Sequence, residues 1–83
     1  MSREVRVDMA VSGNVRQTIA LHPEFSETPG EEVVAKLAKG EWATSITSGK
    51  VIRVSDLKEV GEVIEAVSLD DVELTDFELV DEA

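Results

Sequence analysis

Eighty-three residues make room for one domain, 1–83, with a modest core, because a chain this short buries only about 60–65% of its unfolded surface. Acids outnumber bases 18 to 8, a formal net charge of −10 at pH 7, which argues against direct nucleic-acid binding and against an anionic membrane surface, since both need Lys and Arg. Cysteine is absent, so disulfides, thiolate metal sites, iron–sulfur clusters and a cysteine nucleophile are excluded together.

Val5, Val7, Met9 and Val11 alternate with Arg6, Asp8 and Ala10, the period of a half-buried strand. A second alternation runs through Val15, Ile19 and Leu21. A loop over Ser12–Asn14 would pair Val11 with Val15, Val7 with Ile19 and Val5 with Leu21, bringing the apolar sets together, with Asn14 supplying a left-handed residue. His22-Pro23-Glu24-Phe25-Ser26-Glu27 reads as an exit loop. Thr28-Pro29-Gly30-Glu31 then supplies a helix start with Thr28 as N-cap, proline at N1 and Glu31 at N3. Val33, Val34, Leu37 and Ala38 form its apolar stripe, Glu31 and Glu32 sit at the positive end of the dipole, Lys36 and Lys39 near the negative end, and Gly40 suits a left-handed stop. The helix is expected over 29–39.

Trp42, Thr44 and Ile46 alternate again, followed by Ser48-Gly49-Lys50 and the run Val51-Ile52-Arg53-Val54. The echo of Val11-Ser12-Gly13-Asn14-Val15 in Thr47-Ser48-Gly49-Lys50-Val51 suggests the same three-residue turn, which would pair Ile46 with Ile52; no internal duplication accompanies it. Residues 55–69 fit a helix stripe through Leu57, Val60, Ile64 and Val67, but Gly61 and the β-branched cluster favour a loop or turn over 55–60 and a strand from 62 to 69. Asp70-Asp71 reads as a turn into the last strand. There Val72 and Leu74 differ in parity from Phe77 and Leu79, which implies a bulge at Thr75-Asp76 or a break between two short strands. Asp81, Glu82 and Ala83 read as a frayed end.

Charge is distributed unevenly. Lys58 is the last base, and the final 25 residues hold 10 acids: Glu59, Glu62, Glu65, Asp70, Asp71, Glu73, Asp76, Glu78, Asp81 and Glu82. A row of carboxylates repels itself, and a cationic groove on another protein would relieve that repulsion; a solvated face or a charged edge strand explains the same acids more plainly. Asp71, Glu73, Thr75 and Glu82 fall at ligand positions of a calcium loop, but the turn position that needs Gly is Asp76, so no metal is expected. His22 is the single histidine and reads as a turn residue. With no tyrosine, no phosphate-cradling glycine loop and no nucleophile motif, neither an enzyme nor a cofactor is expected. Trp42 is expected to close the core between helix and sheet, and Phe25 to fold under the helix or to meet another subunit. The start of the chain carries no apolar run behind its basic residues, and no stretch approaches the roughly 18 apolar residues that span a bilayer. A cytoplasmic protein is expected.

In general build, from its hairpin through the helix over Thr28-Pro29-Gly30-Glu31-Glu32-Val33-Val34 to the acidic end Glu73-Leu74-Thr75-Asp76-Phe77-Glu78-Leu79, the chain resembles the small, acidic, cysteine-free accessory proteins that bacteriophages encode. Proteins of that kind often bind and block host factors, defence nucleases among them, and others are structural; the likeness rests on no motif and assigns no functional residue.

The expected fold is α+β, an antiparallel sheet of about five or six strands with the helix across one face, in the order β-β-α-β-β followed by one or two acidic C-terminal strands. The expected function is that of a non-enzymatic binding module whose acidic C-terminal half docks on and blocks a basic protein surface, such as one that holds nucleic acid. Asp70, Asp71, Glu73, Asp76 and Glu78 are the expected contacts. The alternative is a homo-oligomeric assembly protein, a homodimer through an open sheet edge being the simplest case, with the acids serving solubility alone.

Overall fold

The computed structural model describes residues 3–11, 13–45, 47–69 and 77–82. They form β1 (Arg3–Val11), β2 (Gly13–Leu21), a 3₁₀ turn at Pro23–Phe25, α1 (Gly30–Ala38), β3 (Trp42–Thr44), β4 (Lys50–Arg53), β5 (Lys58–Ser68) and β6 (Glu78–Glu82). The strands make one antiparallel sheet in the order β3-β4-β5-β2-β1-β6, with α1 against one face. The α+β class and the number of strands follow the expectation. The strand order does not follow a simple meander: β6 pairs with β1, not with β5.

The β1–β2 hairpin keeps the expected faces but not the expected register. Val5 lies opposite Ile19, Val7 opposite Gln17 and Met9 opposite Val15, and the ladder closes at Val11 and Gly13. Asn14 therefore stands in the ladder opposite Ala10 and not in a left-handed loop position. A slip of two residues returns every side chain to its own face, so alternation alone cannot distinguish the two registers.

The helix buries Val33 and Leu37 against the sheet. It starts one residue later than expected, because Pro29 is extended (ψ 145°) and occupies the N-cap itself, with no side chain capping the helix. It ends one residue earlier than expected, at Ala38, but with the expected stop. Gly40 takes φ +77°, the Gly40 N–H donates to the Leu37 carbonyl at 3.2 Å, and the Glu41 N–H donates to the Lys36 carbonyl at 2.9 Å. That pair of bonds is the Schellman stop.

In the second hairpin Ala43, not Ile46, lies opposite Ile52, and Thr44 lies opposite Val51. The turn is wider than in the first hairpin: the Ser45 N–H donates to the Lys50 carbonyl at 2.8 Å, and the Gly49 N–H donates to the Ser45 carbonyl at 2.9 Å with Gly49 at φ +71°. The ambiguous stretch resolves as turn and strand, but β5 begins at Lys58 instead of 62. Asp81 and Glu82 are not frayed; they pair with Arg6 and Val5. The expected Asp70-Asp71 turn and the Thr75-Asp76 bulge lie outside the described residues.

The core is Val5, Val7, Met9, Ile19, Leu21, Val33, Leu37, Trp42, Val51 and Val60. Each fully buried valine or leucine contributes about 1.5–3 kcal/mol of transfer free energy. Trp42 closes this core as expected, 3% exposed, with Phe25 edge-on to it at 5.9 Å between ring centroids. Among the described residues no helix is long and apolar enough to cross a membrane.

Candidate functional site

The sheet face turned away from α1 carries the charge. Its positions follow from the alternation on β1 and β2: Val5, Val7, Ile19 and Leu21 point into the core, so Arg6, Asp8, Arg16, Thr18 and Ala20 point the other way. On β5 the acids Glu59, Glu62 and Glu65 are three residues apart, a spacing that would alternate faces on a regular strand. Two register shifts prevent this. Val51 lies opposite Gly61 but Ile52 opposite Glu59, which leaves Val60 as an extra residue; Ile19 lies opposite Val63 but Thr18 opposite Glu65, which leaves Ile64 as a second. Glu59 and Glu62 consequently face Ile52 and Lys50, while Glu62 and Glu65 face Ala20 and Thr18. Each facing pair is two residues apart, so the three carboxylates form a row on one face at steps of roughly 6.6 Å.

The three are not equivalent. Glu59 is half-buried and held by the His22 imidazole and by Lys50, whose Nζ lies 3.1 Å from its carboxylate. Hydrogen bonding first to His22 and then to Lys50 lowers its pKa below the ordinary glutamate value. Glu62 and Glu65 are exposed, and among the described residues neither forms an ion pair. Glu78, on β6 opposite Asp8, is exposed on the same face, about 14 Å across three strand spacings from β5. Between these flanks the face is knitted together: Arg16 donates to the buried Asp8 carboxylate at 2.6 and 3.1 Å, and Arg6 Nε donates to Thr18 Oγ1 at 3.4 Å.

The bases at the other rim of the molecule are engaged locally. Arg53 donates to Asp56 at 2.6 and 3.0 Å, and with the Lys58 backbone N–H it holds the Asp56 pKa down at about 2. Lys58 Nζ is 2.6 Å from Glu24, whose pKa it lowers. Lys36 pairs with Glu32 at 3.7 Å and rests 5.7 Å from the Trp42 ring centroid. Arg53 and Lys58 both lie over Phe25, at 5.8 and 5.6 Å, so Phe25 fills a cation-bordered corner of the core. A shallow cleft of about 310 Å³ lies beside Lys36, Trp42 and Arg53 on the helix side.

Of the residues expected from the sequence to make contacts, Asp70, Asp71, Glu73 and Asp76 lie outside the described residues. Glu78 is described, and its place on the sheet brings it to the same face as Glu62 and Glu65. His22, read as an isolated turn residue, is a partner of Glu59. The cofacial row on β5 was missed, and its signal was the repeated three-residue spacing of Glu59, Glu62 and Glu65 around the β-branched Val60 and Ile64. Among the described residues no group of three His, Cys, Asp or Glu side chains could hold a metal ion. No protein-family model matches the chain, and no curated protein or solved structure matches it either.

Proposed function

We propose that this protein is a non-enzymatic binding module whose acidic C-terminal half docks on a basic surface of a partner protein and blocks it. The observation that carries this reading is the alignment of Glu59, Glu62 and Glu65 on one face by two bulges, with Glu62, Glu65 and Glu78 exposed and, among the described residues, unpaired. Holding like charges side by side opposes folding in the isolated protein. A cationic surface removes that opposition on binding, which favours fast, salt-sensitive association. A partner that itself holds nucleic acid presents such a surface, and blocking it is the mode suggested by the likeness to small phage accessory proteins.

The test is affinity capture from a bacterial lysate at about 0.1 M and then 0.5 M salt, a range over which the screening length falls from roughly 10 Å towards 4 Å. The wild-type chain is compared with the Glu62→Gln, Glu65→Gln, Glu78→Gln variant. A stoichiometric basic partner, lost at high salt and lost by the variant at low salt, supports the reading. A partner retained equally by the variant, with an unchanged salt dependence, overturns it.

A further inference from the structure

Strand β5 is longer than the strand beside it. The β4 ladder ends where Lys50 meets Glu62, with one further bond from the Val63 N–H to the Gly49 carbonyl at 2.6 Å. Past that point β5 pairs only with β2, and among the described residues no strand runs along its other side at Ile64–Val67. The backbone directions are set by the bonds at either end. The Val63 N–H points away from β2 to Gly49, and the Leu69 N–H points towards β2, to the Asn14 carbonyl at 2.8 Å. Alternation back from Leu69 turns Val67 and Glu65 towards β2 and leaves the Ala66 N–H and carbonyl aimed at the open side. The same stretch exposes Ile64 (50%) and Val67 (46%). Unpaired backbone beside exposed β-branched side chains is the arrangement that accepts an added strand.

Charge decides what the added strand would be. Outward-pointing residues pair only with outward-pointing residues, so a second copy added symmetrically would centre at or beside Ala66. It would bring together two chains of net charge −10, through segments that carry 10 acids and no base after Lys58. An extended segment with Lys or Arg at alternate positions fits instead. A basic side chain opposite Glu65 stands beside that exposed carboxylate and within diagonal reach of Glu62, roughly 6.6 Å along the same face, while the place directly beside Glu62 is held by Lys50.

We propose that the open edge of β5 at Ile64–Val67 takes up an extended segment of a basic protein as an added strand, with a Lys or Arg facing Glu65 and reaching diagonally towards Glu62 at the end of the β4 ladder. This deepens the binding role above and rests on it, naming the mode of capture: backbone hydrogen bonds at Ala66 for affinity and the glutamate row for selection.

The test uses the full chain and a capped peptide of alternating lysine and threonine long enough to run from Ile64 to Leu69. Two further versions of the peptide are N-methylated at every second residue, one for each of its edges. Binding is read by calorimetry at about 0.1 M salt, and hydrogen exchange is followed at the Ala66 amide. The parent peptide is expected to bind and to protect the Ala66 amide. One methylated version should lose about tenfold in affinity while the other binds as the parent does. Ala66→Pro, which removes an outward N–H that serves no strand among the described residues, should lose a similar factor, and Glu62→Gln with Glu65→Gln should weaken binding and flatten its salt dependence. Equal binding of all three peptides, with weakening only in the glutamine variant, overturns strand addition while leaving the acidic binding face standing. Absence of peptide binding overturns the proposal, and if the glutamine variant also keeps its lysate partner, the acidic face falls with it. A dimer seen by light scattering and dissolved by Ala66→Pro would show that a second copy occupies the edge, which overturns the basic-segment proposal.

Discussion

Asp8 and Arg16 are direct cross-strand partners, and the guanidinium grips the carboxylate through both nitrogens it presents, at 2.6 and 3.1 Å. The Asp8 side chain is nearly out of water while that of Arg16 remains 41% exposed, so the two are unequal in what they would lose. Arg16→Ala leaves a desolvated carboxylate without its main donor and should cost about 1–3 kcal/mol. The double variant Asp8→Ala, Arg16→Ala should cost less than Arg16→Ala alone. Urea denaturation of the four members of this cycle checks the ordering.

Gly61 lies in the middle of β5 opposite Leu21, where backbone comes close. A Cβ there would stand 2.6 Å from the Ala20 carbonyl oxygen and 3.2 Å from the Leu21 Cα. Backbone of a central strand cannot step aside as a flexible side chain can. Gly61→Ala should therefore destabilise by about 1–3 kcal/mol, against the gain that alanine normally brings in a strand. Thermal unfolding followed by far-ultraviolet circular dichroism measures it.

Trp42→Ala should be the most damaging single change, at about 3–5 kcal/mol. That is a large part of the total stability of a small domain. The loss removes the ring that Phe25 meets edge-on and on which Lys36 rests. Urea titration at reduced temperature should show a midpoint far below that of the wild type, while Phe25→Leu, which keeps most of the volume, should fall between the two.

The depressed carboxylates set a sign for the acid response. Asp56 has its pKa lowered from 3.8 to about 2 by Arg53 and by the Lys58 backbone N–H, and Glu24 and Glu59 are lowered from 4.5. A folded-state pKa below the unfolded value means stabilisation that is complete above the unfolded value and lost as pH falls through the folded one. For Asp56 that window runs from about pH 4 to pH 2. Asp56→Asn should flatten the dependence of the melting temperature on pH inside this window and leave it unaltered between pH 6 and 8. A series of melts at closely spaced pH values separates the two variants.

How far the fold was legible depends on the range of each signal. The stripe through Val33 and Leu37 and the stop at Gly40 are local, and both placed α1 within a residue at each end. Alternation through Val5, Val7 and Met9 is also local, and it identified the buried face of β1 correctly while leaving the hairpin register two residues out. Bulges at Val60 and Ile64 escape such reasoning because an extra residue makes neighbouring parities disagree, so β5 reads as neither clean strand nor clean helix. The pairing of β6 with β1 has no local signature at all. The candidate face suffers from both blind spots: its carboxylates are visible as acids in the chain, but their common orientation depends on bulges and their grouping with Glu78 depends on that long-range pairing.

The place of β6 beside β1 also bears on how quickly the sheet can form. Val5 meets Glu82 and Val7 meets Leu79, contacts that must close a loop of nearly the whole described chain, whereas the β1–β2 hairpin joins immediate neighbours. The entropy of such closure is lost before its contacts are gained. Assembly should therefore be staged, with the early hairpin sealed last by β6, and substitutions at Leu79 should accelerate unfolding while leaving the rate of refolding nearly untouched.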